Sequence, residues 1–181
     1  MIVSVERSKT AFVLIDMQEK LLPVMQNIEK VVSNINILIK SAEILKIPLL
    51  GTEQNSGKLG STTQTIVLPE QSFIFEKEHF SCLGCEGFCS KLKDLQVESV
   101  ILFGIEAHVC VLQTALSAKE AGFEVYIVAD AITSRTEQNK ELAIERMRQS
   151  GIYVVSTEMI LYQLLEKIGT EEFRQIHKML K

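Results

Sequence analysis

Short apolar runs alternate along this chain with segments that have the periodicity of an amphipathic helix, and this alternation constrains the fold most strongly. The runs at residues 11–15, 100–103 and 125–129 are apolar at every position, so they predict strands that are buried on both faces. Apolar residues at helical spacing predict helices over residues 28–45 and 111–121. Strands of this kind joined by helices form a parallel sheet with helices on both sides. We therefore expect an α/β fold, a three-layer α/β/α domain with a mostly parallel central sheet.

The second half of the chain predicts two further helices. The S-x-x-E spacing that begins at Ser134 is that of a capping box, so we expect a helix to begin there and to end at Gly151. Residues 159–181 predict an amphipathic helix that packs on the sheet or contributes to a subunit contact. Residues 54–71 are rich in glycine, serine and threonine and predict a loop near the active face. Residues 1–181 together are expected to form a single domain.

The composition argues against several classes of protein. The chain of 181 residues carries a net charge of −4 and has no basic cluster, which predicts no attraction to nucleic acid or to anionic lipid. No apolar stretch approaches the roughly 18 residues that span a bilayer, and the first residues lack the pattern of a signal peptide. Three of the four cysteines crowd together, unlike a disulfide framework. We expect a soluble protein of a reducing compartment, the cytoplasm.

Three polar residues at the ends of predicted strands are candidates for catalysis, because parallel sheets bind ligands beyond the carboxyl ends of their strands. Asp16 directly follows an apolar run and could be a base or the N-cap of the next segment. Lys77 follows the strand-like residues 73–75 and could acidify a thiol, or be a solvated surface lysine. Cys110 lies where a helix begins, and the first turn of a helix lowers a thiol pKa and offers free N–H groups. Its alternative is a small buried hydrophobe.

A competing interpretation is a metal site formed by His79, Cys82, Cys85 and Cys89, because thiolates and imidazole suit zinc. The four residues do not form two separated ligand pairs, however, and the spacing C-x2-C-x3-C is not an iron–sulfur spacing. We therefore expect ordinary loop and helix cysteines and no metal. His108 stands beside Cys110 but is expected to have a structural role, because close neighbours in sequence rarely have the orientation of a catalytic pair.

Six stretches of the sequence resemble the isochorismatase-like cysteine hydrolases. They are VLIDMQEKLLP, GTEQN, FEKEHFSC, LFGIEAHVCV, VADAITSR and ERMRQSG, and together they cover nearly the whole chain. The nearest likeness is to the isochorismatase domain-containing branch, whose members also show GTEQ, GIEAHVCV and RMRQSG. The resemblance implies a Rossmann-like topology. It also implies that the family's catalytic aspartate, lysine and nucleophilic cysteine fall on Asp16, Lys77 and Cys110.

The resemblance implies further features of the site. A cis peptide bond is expected between Ile105 and Glu106, in the turn before the nucleophile, and the backbone N–H groups of Glu106 and Cys110 are expected to hold an oxyanion. The substrate-pocket candidates are Glu53, Gln54, Phe80 and Ala107. For the first two, a simple surface turn is an equally good interpretation.

The implied reaction is hydrolysis of a small amide-like substrate through a covalent acyl-enzyme. Asp16 would take the thiol proton and Cys110 would attack the carbonyl carbon. Nicotinamidases of this superfamily carry metal ligands after the second strand, whereas residues 51–55 contain no histidine, so we expect no metal and no cofactor. We also expect a homo-oligomer that acts on a small-molecule substrate. The alternative is a catalytically silent protein that uses the same fold for binding or assembly.

Overall fold

The computed structural model describes residues 5–181, and its centre is one six-stranded sheet in which every pair of neighbouring strands is parallel. The strands are β1 (Thr10–Ile15), β2 (Leu49–Gln54), β3 (Phe73–Lys77), β4 (Ser99–Gly104), β5 (Glu124–Ile132) and β6 (Tyr153–Val155). Their order across the sheet is β3-β2-β1-β4-β5-β6. All six residues of β1 and of β4 are buried, as expected for central strands covered on both faces.

Helices lie in two groups around this sheet. They are α1 (Ile28–Leu45), α2 (Ser56–Leu59), α3 (Glu86–Asp94), α4 (Leu112–Glu120), α5 (Glu137–Gln149), α6 (Thr157–Leu165) and α7 (Glu171–Leu180). Helices α1, α6 and α7 contact one another, while α4 contacts α5. The predicted three-layer α/β/α architecture is confirmed. None of the helices within residues 5–181 is long and apolar enough to cross a membrane.

The strand order reverses direction at β1, which makes the gap between β1 and β4 the switch point where open α/β sheets bind ligands. Ile15 at the end of β1 lies opposite Thr52 on one side and Gly104 on the other. In the next pair, Gln54 lies opposite Lys77. The carboxyl ends of β3, β2, β1 and β4 therefore bring their last residues to one edge of the sheet.

Gly104 permits the close approach of β4 to β1 at this edge. Its φ angle of 120° lies in the region that glycine adopts without steric penalty. A Cβ atom at this position would collide with the backbone of Ile15. Glycine is therefore required where β4 ends and the turn toward Cys110 begins.

Two predictions for the second half of the chain are wrong. Helix α5 is capped by Thr136, whose side chain accepts a hydrogen bond from the Asn139 N–H at 3.3 Å, and Ser134 lies before the cap as a buried residue. Residues 159–181 do not form one helix, because α6 ends at Leu165 and is followed by Glu166 and Gly169 in left-handed conformations. The predicted loop at residues 54–71 contains the short helix α2 and the last residue of β2.

Candidate active site

Asp16 follows the last residue of β1, and its carboxylate has a partner at each oxygen. Oδ1 accepts a hydrogen bond from Thr52 Oγ1 at 2.8 Å, and Oδ2 accepts one from Lys77 Nζ at 2.7 Å. The Asp16 side chain is completely buried, and its backbone has a φ angle of 49°, which turns the chain away from the strand direction. The N-cap interpretation is therefore wrong: the carboxylate is turned toward neighbouring strands and not toward a following helix.

Lys77 ends β3 and is also completely buried, so the interpretation as a solvated surface lysine is wrong. Its ammonium group has three acceptors. They are Asp16 Oδ2 at 2.7 Å, Gln54 Oε1 at 2.7 Å and the backbone oxygen of His79 at 3.2 Å. An ammonium group has three protons, so this set satisfies it fully and fixes its position beside the carboxylate.

Cys110 lies in a π-helical turn, Ala107–Val111, that continues directly into α4. The peptide bond between Ile105 and Glu106, just before this turn, is cis. The Cys110 residue is 8% exposed. Its thiol lies 4.0 Å from Gln54 Oε1 and is near enough to the Asp16 carboxylate for each group to shift the pKa of the other. The structure therefore brings Asp16, Lys77 and Cys110 together from three different strand ends.

The electrostatics of the thiol reverse one expectation from the sequence. Burial raises the pKa of the Cys110 thiol well above its ordinary value, and the adjacent Asp16 carboxylate raises it further, while Lys77 lowers it. Burial also raises the pKa of Asp16, against the opposing effects of Lys77 and of hydrogen bonds from Cys110 and Thr52. These effects favour the neutral form of the Cys110 thiol, beside a carboxylate that can accept its proton.

Backbone N–H groups around Cys110 divide into two sets. Those of Ile105, Ala107 and Val109 donate to Ile15, Thr133 and Glu106 oxygens at 2.8–3.0 Å. In residues 5–181, the N–H groups of Glu106 and Cys110 have no acceptor outside this turn. Two donors at the start of a helical segment are what an oxyanion requires.

Gln54 is held in one orientation beside the thiol. Its Nε2 donates to the backbone oxygen of Glu78 at 2.6 Å, which leaves Oε1 facing Lys77 and Cys110. The buried side chain of Gln18 fixes the backbone of Gln54 from the other side: its Oε1 accepts from Gln54 N–H at 2.7 Å and its Nε2 donates to Gln54 O at 3.0 Å. The Gln54 amide is therefore part of the site and not of a surface turn.

Three other candidates for the pocket have different surroundings. Glu53 Oε1 accepts from both the N–H and the hydroxyl of Thr62, at 2.7 and 2.8 Å, so its carboxylate anchors a loop. Ala107 is fully buried, so its side chain is closed to a ligand. Phe80 is 53% exposed and lines an open cleft of about 620 Å³ beside Glu78 and His79. Of the three, Phe80 is the most exposed to a ligand.

The three cysteines of the competing metal interpretation have different hydrogen-bond partners. Cys82 is fully buried beside Thr52, whereas Cys85 and Cys89 donate to the backbone oxygens of Glu76 and Leu83. Within the part of the chain that the structure describes, no three His, Cys, Asp or Glu side chains are arranged to hold a metal ion. His108 Nδ1 lies 3.0 Å from Ser134 Oγ, so this ring is bound to a neighbouring loop.

Comparison with known proteins places this geometry in a family. The family model for the isochorismatase domain matches residues 10–159. The chain belongs to the isochorismatase family. It is 39% identical over 176 residues to isochorismatase domain-containing protein 2 of Danio rerio, covering 94% of this chain and 86% of that protein. It is 37% identical to isochorismatase domain-containing protein 1 of Salmo salar, covering 95% of this chain but 61% of that longer protein.

Solved structures agree with this isochorismatase-family assignment. The structure of MAR1 ribonuclease from Caenorhabditis elegans is 33% identical and superposes with a TM-score of 0.93, covering 98% of this chain and 92% of that chain. The resemblance stated from the sequence motifs is thus confirmed at the level of the family and the fold. Family membership and fold together support a hydrolase.

Sequence reasoning missed two residues of this isochorismatase-family site. Thr52 supplies a hydrogen bond to Asp16, and Gln18 holds Gln54 in place. Both are polar residues at or near the end of a strand, and both are buried. Both also lie within the motifs quoted above, Gln18 in VLIDMQEKLLP and Thr52 in GTEQN, but the motifs alone did not indicate which groups they contact.

Proposed function

We propose that this chain is a cysteine hydrolase that acts on a small amide-like substrate through a covalent acyl-enzyme. The observation that carries the proposal is the meeting of a thiol with a completely buried ion pair. Cys110 lies beside Asp16, whose charge acts on the pKa of the thiol, and Asp16 in turn is held by Lys77 at 2.7 Å. A buried pair of charges is expensive to maintain for stability alone, and perturbed titratable groups cluster at functional sites.

The first half of the reaction forms the acyl-enzyme. Asp16 takes the proton of the Cys110 thiol as sulfur attacks the carbonyl carbon of the substrate. The negative charge that develops on the carbonyl oxygen is bound by the N–H groups of Glu106 and Cys110. When this intermediate collapses, the C–N bond breaks and the proton held by Asp16 passes to the departing amine. The proton is thereby returned and the carboxylate is regenerated.

The second half releases the acid. A water molecule gives a proton to Asp16 and attacks the thioester carbon, and the C–S bond then breaks while the proton returns to the Cys110 sulfur. Lys77 holds Asp16 in place throughout and favours its ionised form before each proton transfer, because its own three protons are already bound to three acceptors. The raised pKa of Asp16 suits this role, since a carboxylate of higher pKa is a stronger base.

The proposed reaction is independent of metal and cofactor. What supports this is the chemistry of the groups beside Cys110. The Gln54 amide is the neutral polar group near the thiol, and its oxygen accepts from Lys77 while its nitrogen donates to Glu78 O. A neutral amide oxygen that faces an ammonium group is a poor ligand for the soft and borderline metals that bind near thiols.

A test uses an activated ester together with a panel of small primary amides. With p-nitrophenyl acetate, we expect a burst of nearly one nitrophenol per chain, and intact-mass analysis should find an acetyl group on Cys110. Cys110→Ala and Asp16→Asn should lower the rate by at least about 100-fold. Cys89→Ala is the matched control, because the Cys89 thiol donates to Leu83 O, away from Asp16 and Lys77, and it should retain the burst.

Two other functions would give different results. If neither burst nor adduct appears and Cys110 behaves like Cys89, the chain is a silent binding or assembly protein. The similarity to a protein called a ribonuclease adds a second assay, with RNA as the substrate. Cleavage of a short RNA that depends on Cys110 would overturn the choice of an amide-like substrate, although the net charge of −4 provides no attraction to a phosphate backbone.

The remaining expectations concern the whole chain: a single domain over residues 1–181, a homo-oligomer and a cytoplasmic location. The support for an oligomer is the family resemblance together with large apolar side chains on the surface, of which Val67 and Ile168 are 72% and 79% exposed. Light scattering on the purified chain should give a multiple of 20.4 kDa. A mass of one chain would remove this part of the proposal.

A further inference from the structure

The Asp16 carboxylate is held by a second group besides Lys77. Thr52 lies on β2 opposite Ile15 and is 2% exposed. Its hydroxyl lies 2.8 Å from Asp16 Oδ1, on the oxygen that Lys77 does not contact. The two oxygens are thus fixed from two different strands, which sets the plane of the carboxylate relative to Cys110.

The direction of this hydrogen bond follows from the chemistry of the groups. An ionised carboxylate only accepts, so the Thr52 hydroxyl must donate its single proton to Asp16. The lone pairs of the hydroxyl are then free, and the Cys82 sulfur lies 3.6 Å from the same oxygen. Burial raises the pKa of Cys82 to about 11, so this thiol keeps its proton at neutral pH and is the donor. The result is a chain of donors, from Cys82 to Thr52 and from Thr52 to Asp16.

We propose that Thr52, supported by Cys82, is a positioning residue that orients the Asp16 carboxylate and favours its ionised form for proton transfer from Cys110. The inference rests on the proposed function, because it assigns Thr52 a role in activating the thiol. The titratable groups that face Asp16 are Lys77, Cys110 and Cys82. Lys77 does not replace the Thr52 hydroxyl, since it bonds the other oxygen.

Removal of the hydroxyl has a predictable effect on pH dependence. The hydrogen bond from Thr52 lowers the pKa of Asp16 against the opposing effect of burial. Without it, a higher pH is needed to ionise Asp16 and thus to make a proton acceptor for Cys110. The acidic limb of any reaction of the Cys110 sulfur should therefore move to higher pH. A threonine that only packed against its neighbours would change stability and leave this limb in place.

The experiment measures the alkylation rate of Cys110 by iodoacetamide from pH 5 to 9, using peptide mass spectrometry to separate the four cysteines. In Thr52→Val, which keeps the shape of the side chain, we expect the acidic limb of the pH–rate profile to move about one pH unit higher. The alkylation rate at the low-pH end of the limb should fall about tenfold. Thr52→Ser, which keeps the hydroxyl, should restore the wild-type limb. Cys82→Ala should shift it in the same direction by a smaller amount.

Thr10→Val is the matched control. Thr10 is also buried on this sheet, but its hydroxyl donates to Glu6 O at 2.7 Å at the opposite end of β1. This variant should leave the pH profile unchanged whatever it does to stability.

The outcomes separate the two proposals. If Asp16→Asn leaves alkylation and ester cleavage at wild-type rates, the proposed function fails, and the role of Thr52 with it. If Asp16→Asn suppresses both reactions while Thr52→Val keeps the wild-type limb, only the role of Thr52 fails. A limb that moves equally in Thr10→Val would also overturn it, because the effect would then be a general response to loosening the sheet.

Discussion

Replacement of Lys77 by methionine tests how strongly the stability of the fold depends on the buried ion pair between Lys77 and Asp16. Methionine has a similar length and fills the same space without charge. The change leaves the Asp16 carboxylate buried, with the Thr52 hydroxyl as its remaining side-chain hydrogen-bond donor among the described contacts. We expect Lys77→Met to be among the most destabilising substitutions in the chain.

The size of the effect follows from the geometry. At 2.7 Å, two unit charges attract by about 6 kcal/mol at an effective dielectric constant of about 20. Most of this gain is offset in the folded protein by the desolvation of both groups. When one partner is removed, the second charge stays buried, and its desolvation is no longer compensated by the attraction between the two charges. Losses of about 3–5 kcal/mol in the free energy of unfolding are typical of such a change.

The same argument predicts rescue by a second substitution and by pH. Asp16→Asn removes the uncompensated charge, so the double variant should be more stable than Lys77→Met alone at pH 7. In Lys77→Met the folded-state pKa of Asp16 lies above its unfolded value, because burial raises it and Lys77 no longer lowers it. A carboxyl group of this kind favours the folded state below its unfolded pKa of about 3.9, and that contribution is lost as pH rises through the folded-state pKa. The defect should therefore shrink as pH falls from 7 toward 5.

The assay is equilibrium unfolding in urea, followed by circular dichroism at one protein concentration for all variants. Lys40→Met is the matched control, because Lys40 also pairs with a carboxylate at 2.7 Å but is 58% exposed. Its effect should be small, since exposed ion pairs contribute at most about 1 kcal/mol. A double variant no more stable than Lys77→Met would refute the reasoning, and so would equal losses in Lys77→Met and Lys40→Met.

Three further substitutions test other parts of the structure, each by urea unfolding. Gly104→Ala should destabilise the fold by about 2 kcal/mol or more, because the position has a positive φ angle and no room for Cβ. Gly57→Ala is its control and should be nearly neutral, because no neighbouring atom lies within 4 Å of a new Cβ there. Thr136→Ala should cost about 1 kcal/mol through loss of the α5 cap; if Ser134→Gly reproduced the loss and Thr136→Ala did not, the cap would be misassigned. Gln18→Met should lower the free energy of unfolding by about 2–4 kcal/mol, because three hydrogen bonds to backbone groups are lost in a buried site. A change below about 1 kcal/mol would show that these hydrogen bonds do not stabilise the fold as expected.

The order of the elements was predictable because it depends on local patterns. The apolar runs at residues 11–15 and 100–103 are too uniform to be anything but strands covered on both faces. The cap of α5 was misplaced because two hydroxyl residues, Ser134 and Thr136, precede the helix, and the sequence does not show which side chain is free. Ser134 lies near His108 Nδ1, a residue 26 positions away, so a tertiary contact decided between them.

The identity of the candidate catalytic residues came from motifs, and their mutual geometry came from the sheet. Each of Asp16, Lys77 and Cys110 by itself had an ordinary structural interpretation as a cap, a surface charge or a buried hydrophobe. Their burial and their contacts depend on the register of three strand pairs, which no local pattern specifies. The start of a helix predicted a lowered pKa for Cys110, whereas burial and the neighbouring carboxylate, which depend on tertiary contacts, raise it.

The sequence by itself therefore determined the fold class, the family and the set of residues that end the strands, because hydrophobic periodicity and short motifs are properties of neighbouring residues. Only the tertiary structure decided which of those residues meet. It placed Thr52 against Asp16 and Gln54 against Lys77, and it assigned Glu53 to Thr62. Pairing of this kind arises when parallel strands align their carboxyl ends at one edge, and the register that aligns them is set by packing over the whole sheet.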